Sequence, residues 1–262
     1  MNKIQTHIAP ALFVSHGSPM NAIAENAYTQ DLRKIGEQLE NVSAVLVISA
    51  HWMTNGIYVT DSEELSTLHD FGGFPEKLFE VQYPAKGALY LIPELEKLIG
   101  ETIIRDKKRG LDHGAWSMLM HLFPKADIPV LQLSLDVTKS FKEHYQLAKR
   151  LARLREQNVL ILLSGNVTHN FSLIDFGNID AKPLDWALKF DNTVKNAFLQ
   201  NDESALINIK NKSEVYQLNH PTDDHFIPLL YLMGGRNKND KLTFPHMTWQ
   251  FGTMSMRHIL LN

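Results

Sequence analysis

Short, uninterrupted apolar runs recur along the chain and end in small or polar residues. The first covers residues 9–14 and stops at the turn-forming sequence Ser-His-Gly-Ser-Pro. Similar runs cover residues 44–50, 57–60, 128–135 and 159–163. Continuous apolar, β-branched segments of this length are typical of strands covered on both faces of a sheet. Two further strands, 242–249 and 251–256, are predicted near the C-terminus.

Amphipathic segments lie between these runs. Apolar residues recur at helical spacing over 21–39, 110–123, 140–155, 181–209 and 223–233. Residues 87–100 are also predicted to be helical, interrupted at Pro93, and Asp112 is suited to cap the helix that follows it. Alternation of strands and helices predicts an α/β fold. We expect a single domain over 1–262, with a central mixed, mostly parallel sheet flanked by helices on both faces.

The longest irregular stretch covers residues 65–84 and contains Leu-His-Asp-Phe-Gly-Gly-Phe-Pro. Loops of this length in compact domains are usually functional or disordered, and the aromatic content argues against disorder. Aromatic rings can stack on a ligand, and glycines allow close backbone approach. The stretch therefore predicts a lid in which His69 and Phe71 contact substrate. The alternative is a surface loop packed by its own aromatic side chains.

Composition narrows the possible functions. The chain has 262 residues, a formal net charge of -3 and no long basic block, so neither nucleic acid nor an anionic membrane is an expected partner. The absence of cysteine excludes disulfides, thiolate catalysis and cysteine-ligated zinc. No apolar stretch approaches about 18 residues, and the N-terminus lacks an apolar signal segment. A cytoplasmic location is predicted.

Histidines supply the candidate chemistry. His16, His51 and His169 follow apolar runs predicted to be buried strands, and His225 lies at the start of a predicted helix. In an open α/β sheet, ligands bind outside the carboxyl ends of the strands, so side chains delivered there by different strands converge. Neutral imidazoles suit zinc and iron. The sequence therefore predicts a metal site formed by three of these histidines.

Other polar residues have less decisive contexts. His113, at a predicted helix start, is expected either to hydrogen-bond a substrate or only to cap its helix. Three carboxylates could act as ligands or orient a histidine: Asp136, Asp223 and Asp224. Five histidines have no special context and are expected to be ordinary: His7, His121, His144, His246 and His258.

Two common enzyme motifs are absent. The Phe-Gly-Gly-Phe segment at 71–74 lacks the lysine and serine pattern of a phosphate-binding loop. Ser15 and Ser18 lack the Gly-x-Ser-x-Gly elbow of serine hydrolases.

Six ordered motifs resemble those of the class III extradiol ring-cleavage dioxygenases, specifically the DOPA 4,5-dioxygenase branch with its bacterial members. They lie within residues 11–231, nearly the whole chain. The motifs are His-Gly-Ser-Pro-Met, Ser-Ala-His-Trp, His-Asp-Phe-Gly-Gly-Phe-Pro, Asp-His-Gly-Ala-Trp, Ser-Gly-Asn-Val-Thr-His-Asn and Asp-His-Phe-Ile-Pro-Leu.

The resemblance implies one divalent metal per chain, non-haem Fe(II) or Zn(II), held by His16, His51 and His225. His169 would be a fourth ligand or the catalytic base, and His113 would orient substrate or oxygen. More distant class members complete the triad with a glutamate where this chain has His225, so the resemblance leaves the native metal open.

The implied reaction opens the ring of a small-molecule catechol such as L-DOPA with O2. Four aromatic residues are candidates for the wall of an apolar ring pocket: Trp52, Phe71, Phe74 and Trp116. The sequence indicates neither the physiological catechol nor the oligomeric state.

Two rival functions stay open at this point. A zinc hydrolase would need a carboxylate base, for which Asp136 or Asp224 could serve. A non-catalytic descendant that only binds a ligand would be expected to lose His113 and His169, and both are present.

Overall fold

The computed structural model describes residues 8–39 and 41–262. In chain order, the strands of this part are β1 (Ala11–Ser15), β2 (Ala44–Thr54), β3 (Ile57–Thr60), β4 (Glu64–Leu65), β5 (Ala85–Lys86), β6 (Ile103–Asp106), β7 (Val130–Asp136), β8 (Val159–Gly165), β9 (Leu242–Thr243), β10 (Trp249–Gln250), β11 (Met254–Ser255) and β12 (Ile259–Leu261).

The α-helices are α1 (Ala27–Gln38), α2 (Glu76–Phe79), α3 (Ile92–Ile99), α4 (His113–Leu122), α5 (Phe141–Leu151), α6 (Asp185–Gln200), α7 (Glu203–Ile207), α8 (Ile209–Lys212), α9 (Tyr216–Asn219) and α10 (Ile227–Gly234). Short 3-10 segments lie at Pro19–Ala22, Leu89–Leu91, Ala152–Gln157 and Phe171–Leu173. Each helix among the described residues is too short or too polar to span a bilayer.

Eight strands form one sheet in the order β6-β3-β7-β2-β8-β1-β12-β9. The four central strands, β7, β2, β8 and β1, are parallel to one another. Antiparallel pairs join β3 to β7, β12 to β1 and β9 to β12. This arrangement confirms the predicted single-domain α/β fold with a mixed, mostly parallel sheet.

Helices cover both faces of the sheet. Side chains of α3, α5 and α10, such as Leu95, Leu147 and Leu230, pack in one apolar cluster. Side chains of α1 and α4, such as Leu32 and Leu119, pack in the other. Every residue of β1 and β8 is buried, as expected of central strands covered on both sides.

Strand β2 is longer than predicted and carries His51 within it. Its pairing with β7 shifts register between Ile48 and Met53. Irregularities of this kind re-aim side chains and are common beside active sites. The shift therefore falls at His51, one of the histidines that the sequence predicts to ligate a metal.

Two predicted helices begin elsewhere than expected. Pro93 lies in the first turn of α3 rather than interrupting a longer helix, because an N–H group is not needed there. Helix α10 begins at Ile227 with Pro228 in its first turn. His225 therefore lies in the turn before the helix, not on it.

The C-terminal strands differ most from expectation. The predicted strands 242–249 and 251–256 are wrong in extent, since only two-residue strands form there. Pro245 interrupts the first of them, and Phe251 and Gly252 adopt positive φ angles of 55° and 72° in the second. Strands β6 and β12 were not predicted. β6 has no buried residue, so it lacks the apolar run that marks a central strand.

Candidate metal centre

Four histidines meet at the carboxyl edge of the central strands. His16 follows β1, His51 lies in the last part of β2, and His169 follows β8. His225 reaches the same edge from the turn before α10, where the backbone N–H of Asn166 donates to its carbonyl, 3.1 Å away. The topology thus delivers imidazoles from four separate segments to one place, as parallel strands predict.

Glycine permits two of these close approaches. A Cβ on Gly165, the last residue of β8, would collide with the carbonyl of His225. A Cβ on Gly114 would lie 2.9 Å from Cδ2 of His51 and 2.7 Å from Oγ of Ser49. Both distances are below ordinary contact. The α10 turn and the start of α4 can therefore pack against the strand ends only because these side chains are absent.

Three imidazoles form a compact nitrogen cluster. Single ring nitrogens of His16, His51 and His225 all lie within 4.8 Å of one another. The Nε2 atoms of His16 and His51 are 3.0 Å apart. The ring centroid of His225 lies 5.1 Å from that of His16 and 5.0 Å from that of His51. This is a three-histidine donor set of the kind that holds zinc or non-haem iron.

Burial keeps these three rings neutral. Desolvation, followed by the neighbouring histidines, lowers the pKa of His16 and of His225 well below its ordinary value. Desolvation and the proximity of His113 lower the pKa of His51 to about 4, against the opposing effect of nearby carboxylates. Neutral imidazole is the form that ligates a metal. Their nitrogens are therefore available as ligands at neutral pH.

The unsatisfied polar atoms of the cluster fit a cation. Neither ring nitrogen of His225 has a hydrogen-bond partner among the described residues, although both are buried. Nδ1 of His16 is bonded with Ser164 Oγ at 2.9 Å, which leaves Nε2 facing His51. Buried polar groups are nearly always paired, and an ion is one explanation when they are not. A divalent metal between the three rings would bind one nitrogen of each ring, and it would therefore satisfy one of the two nitrogens of His225.

Carboxylates lie behind two of these rings. Asp224 Oδ2 is 3.3 Å from Nδ1 of His225, and Asp70 Oδ2 is 3.9 Å from Nδ1 of His51. Groups of this kind commonly orient metal-ligating imidazoles and raise their basicity.

The other two predicted carboxylates are engaged elsewhere. Asp136 accepts hydrogen bonds from the backbone of Gly56 and from Thr138. Asp223 pairs with Lys210 and accepts from the Tyr216 hydroxyl at 2.8 Å. Neither carboxylate lines the histidine cavity described below, so neither is placed to act as a base there.

His169 stands beside the cluster rather than in it. Its ring stacks on His225 with a centroid separation of 3.5 Å and an interplanar angle of 7°. It does not belong to the group of converging nitrogens found among the described residues. Desolvation, with a contribution from His220, lowers the pKa of His169 to about 3. The structure thus offers a neutral imidazole next to the nitrogen cluster.

His113 is the first residue of α4, and Asp112 performs the capping. The carboxylate of Asp112 accepts from the backbone N–H of Ala115 at 3.1 Å and from Ser49 Oγ at 2.8 Å. The ring of His113 lies 4.0 Å from that of His51, centroid to centroid. His113 is therefore free to face the cavity instead of closing the helix end.

Asp70 is bonded to His113 twice. Its Oδ1 lies 2.9 Å from Nδ1 of His113 and 2.9 Å from the backbone nitrogen of the same residue. Desolvation raises the pKa of the Asp70 carboxyl, but the hydrogen bonds and charge of His113 outweigh it and lower that pKa to about 2. Sequence reading missed Asp70, although it stands inside the His-Asp-Phe-Gly-Gly-Phe-Pro motif.

A cavity of about 460 Å³ opens above the histidines. Its wall consists of imidazole rings, phenyl rings, glycines and a proline, with no Lys, Arg, Asp or Glu among the lining residues: His16, Gly17, Pro19, His51, Phe71, Gly72, Gly73, Phe74, His113, His169, Phe171, Phe176 and His225. Such a wall suits an uncharged aromatic ring.

Two aromatic pairs form part of this wall. Phe71 and Phe74, from the 65–84 loop, meet edge to face at 5.4 Å. Phe171 and Phe176, from the segment after β8, stack at 6.5 Å, and Phe171 meets His169 edge to face at 4.6 Å. The second pair was not predicted, because residues 171–184 carry no regular apolar pattern. The only sequence feature that points to this pair is its position just after the motif that contains His169.

Two residues predicted to contact substrate, His69 and Trp52, and one candidate for the pocket wall, Trp116, are not among the residues that line this cavity. His69 Nε2 donates to the carbonyl of Val81 at 3.0 Å, and its ring lies 5.8 Å from that of Phe71. Trp52 is buried, and Cζ of Arg109 lies over its ring, 5.0 Å from the ring centroid. Trp116 is fully buried and donates to the carbonyl of Leu68 at 2.8 Å. The three side chains therefore make their observed contacts with protein groups outside the lining of the cavity.

The histidines expected to be ordinary lie outside the cavity, except that His7 falls outside the described residues. His121 donates to the carbonyl of Asn21 at 2.9 Å, and His144 bonds with the Tyr231 hydroxyl at 3.1 Å. His246 and His258 pack together at 5.0 Å, centroid to centroid. His220, which the sequence did not single out, donates to the carbonyl of Val167 at 2.9 Å.

Comparison with known proteins gives a consistent result. Residues 4–259 match the protein family described as the catalytic LigB subunit of aromatic ring-opening dioxygenase. A 4,5-DOPA dioxygenase extradiol of Escherichia coli (strain K12) is 39% identical over 252 residues, which cover 94% of this chain and 92% of that protein. A 4,5-DOPA dioxygenase extradiol of Beta vulgaris is 35% identical over 258 residues, 96% of each chain.

A solved structure shares the fold. The crystal structure of an uncharacterized protein from Escherichia coli K12 superimposes with a TM-score of 0.85 at 34% identity, over 97% of this chain and 100% of that one. Together with the sequence relatives, it confirms the resemblance expected from the six motifs.

Proposed function

The chain belongs to the family of catalytic LigB subunits of aromatic ring-opening dioxygenases, and from that premise we propose how its residues divide the work. The enzyme is an extradiol dioxygenase, which opens a catechol ring, such as that of L-DOPA, beside the diol and incorporates both atoms of O2. The observation that carries the assignment of residues is the three-histidine nitrogen cluster at the floor of an uncharged aromatic cavity.

We assign one divalent metal per chain to His16, His51 and His225. When bound, the metal supplies the positive charge that binds the catechol oxygens and, if it is Fe(II), the redox chemistry that O2 requires. Zn(II) fits the same donors but has no redox chemistry. We therefore propose Fe(II) as the metal of turnover and Zn(II) as an alternative occupant.

We propose that two further histidines, His169 and His113, accept and donate protons. His169 lines the cavity and is unprotonated at neutral pH, so a ring nitrogen has a lone pair available to a catechol hydroxyl. A metal held by the three-histidine cluster would lower the pKa of that hydroxyl and so would allow the proton to pass to a weakly basic imidazole. We propose His169 as the base rather than a fourth ligand, because it stacks on His225 and lies outside the nitrogen cluster. His113 has its Nδ1 engaged with Asp70, so it would accept or donate a proton at Nε2. General acid–base groups typically contribute about 10²- to 10⁴-fold to rate.

The aromatic wall would bind the ring and exclude water. The pair Phe71 and Phe74 and the pair Phe171 and Phe176 offer surfaces for offset or edge-to-face contact. A dry wall also strengthens the electrostatic interactions inside the site. We expect His69 and Trp52 to influence substrate only through the residues that they support.

The rival functions lack support in the cavity. A zinc hydrolase would need a carboxylate base there, yet no Asp or Glu is among the lining residues. Asp224 lies beside the ring of His225 but is not among the residues that line the cavity. A binding protein without catalysis would not need His113 and His169, and both line the cavity.

Reconstitution with Fe(II) under anaerobic conditions, followed by addition of L-DOPA and O2, tests the assignment. We expect a yellow ring-opened product and uptake of one O2 per catechol consumed. The matched control is His51→Ala treated in the same way, which should form none. Wild-type protein with stoichiometric Fe(II) that consumes no O2 with any of a panel of catechols would contradict the proposal.

The remaining assignments are proposals as well. We propose that residues 1–262 act as one catalytic domain in the cytoplasm. Its substrates are a small-molecule catechol and O2, and neither nucleic acid nor a membrane is a partner.

A further inference from the structure

Asp70 connects the loop of the aromatic wall to two histidines of the site. It lies in the stretch between β4 and α2, directly before Phe71. Its side chain is about one quarter exposed, at 25%. Asp70 does not line the cavity, so it does not touch the space where substrate would lie.

The two oxygens of Asp70 face different partners. Oδ1 lies 2.9 Å from both Nδ1 and the backbone nitrogen of His113. Oδ2 lies 3.9 Å from Nδ1 of His51. Nitrogen and oxygen atoms of these three residues also form a second compact polar group, immediately beside the three-histidine cluster.

An ionised carboxylate can only accept hydrogen bonds. Nδ1 of His113 must therefore carry the hydrogen, which leaves Nε2 as the nitrogen that can exchange a proton in the cavity. On His51, Nε2 faces His16, so a hydrogen on Nδ1 would point towards the negative charge of Asp70. The carboxylate of Asp70 thus favours, in both rings, the tautomer that has its hydrogen on Nδ1 and its lone pair on Nε2.

We propose that Asp70 is a positioning residue that sets the orientation and tautomer of His51 and His113 together and anchors the aromatic loop to them. The proposal rests on the proposed function for its catalytic consequence, but its effect on metal binding is independent of turnover. Because the same backbone carries Phe71, loss of the Asp70 contacts would also loosen one side of the ring pocket.

Two substitutions separate the charge from the hydrogen bonds. Asp70→Asn keeps the shape and an amide oxygen that can still accept from His113, but it removes the negative charge facing His51. Asp70→Ala removes both. The matched control is Asp31→Asn, because Asp31 Oδ2 also lies 2.9 Å from a histidine, Nδ1 of His246, but outside the cavity.

The first readout is Zn(II) affinity, measured by competition with a chromophoric chelator and without substrate. Loss of a group that orients a ligand typically costs about 10- to 100-fold in metal affinity or activity. We expect a weakening in this range for Asp70→Asn and Asp70→Ala, and no change for Asp31→Asn. Unaltered Zn(II) affinity in Asp70→Asn, with the melting temperature retained, would overturn the link to His51.

The second readout is the steady-state behaviour of protein saturated with Fe(II). We expect kcat to fall more for Asp70→Ala than for Asp70→Asn, because only alanine removes the acceptor for His113. KM for the catechol should rise less than kcat falls. Equal kcat in wild type and both variants would overturn the link to His113.

The two readouts also separate this proposal from the proposed function. If wild type fails to cleave catechols while the Asp70 variants still lose Zn(II) affinity, the proposed reaction fails and the positioning of His51 stands. If wild type cleaves catechols and the Asp70 variants match it in both measurements, the reaction stands and the positioning role is wrong.

Discussion

The molecule contains two groups of buried histidines, and only one has the geometry of a metal site among the described residues. In the first, the ring centroids of His16 and His225 are 5.1 Å apart. In the second, those of His246 and His258 are 5.0 Å apart. Burial lowers the pKa of His258, as it does that of His16 and His225. Neither the ring spacing nor the lowered pKa of a buried ring such as His258 therefore distinguishes the two groups.

The difference lies in what the nitrogens face. Both nitrogens of His246 are bonded, to Asp31 Oδ2 at 2.9 Å and to Thr248 Oγ1 at 2.8 Å. The nitrogens of His258 are buried and unpaired among the described residues, like those of His225, but they belong to no three-residue donor group there. The third ring of that group belongs to Tyr28 rather than to another histidine. In the first group, three imidazole nitrogens converge beside a cavity. Convergent lone pairs next to open space, rather than buried histidine as such, indicate metal chemistry.

The largest expected effect follows from removing a converging nitrogen. His51→Ala should reduce bound metal to near background and abolish ring cleavage, because two imidazoles remain where three are needed. Elemental analysis after reconstitution measures this, with circular dichroism as the check on folding. Full stoichiometric metal in the folded variant would remove His51 from the ligand set.

Removing a proton-handling histidine should leave the metal in place. We expect His169→Ala and His113→Ala to lower kcat by about two to four orders of magnitude while metal content stays near that of wild type. Stopped-flow measurement of product formation gives the rates. A His169→Ala protein that also loses its metal would show that His169 is a fourth ligand instead.

A smaller effect is expected from the aromatic wall. Aromatic contacts are worth about 0.5–1.5 kcal/mol beyond area burial, so Phe71→Ala or Phe171→Ala should raise KM for a catechol by about 2- to 10-fold. Metal content should not change. His69→Ala is expected to do less, because His69 lies behind Phe71. Unchanged steady-state constants in both phenylalanine variants, across several catechols, would remove these rings from the substrate pocket.

Substitution in the second histidine group, His246 and His258, is expected to have the smallest effect on metal content. His258→Ala should keep full metal content and lose stability by about 1–3 kcal/mol, in the range of ordinary core substitutions. Thermal unfolding and elemental analysis on the same preparation measure both. Metal loss in this variant, with the fold retained, would break the distinction between the two groups.

Sequence patterns were sufficient for the parallel centre of the fold. The continuous apolar runs of β1, β2, β7 and β8 predicted buried strands, and the histidines beyond three of these runs pointed to the correct edge of the sheet. Edge elements were harder, because the exposed β6 has no apolar run. The C-terminal strands are too short to show an alternating pattern.

The site was predictable only where its residues follow strands. Asp70 acts through contacts with a residue 43 positions away in sequence, and spacing along the chain cannot reveal such a pairing. Phe171 and Phe176 belong to an irregular segment, so their place on the cavity wall depends on tertiary packing. His69 and Trp52 had suitable chemistry and neighbours, but only the fold shows that they are not among the residues that line the cavity.

We propose above all that His16, His51 and His225 hold the catalytic metal. Anomalous diffraction at the iron edge, from crystals of Fe(II)-reconstituted protein, tests it most directly. We expect one peak per chain, within coordination distance of a nitrogen of each of the three rings and beside the cavity lined by Phe71 and Phe171. A peak beside His246 and His258, or full iron content with no peak at the three-histidine cluster, would contradict the claim.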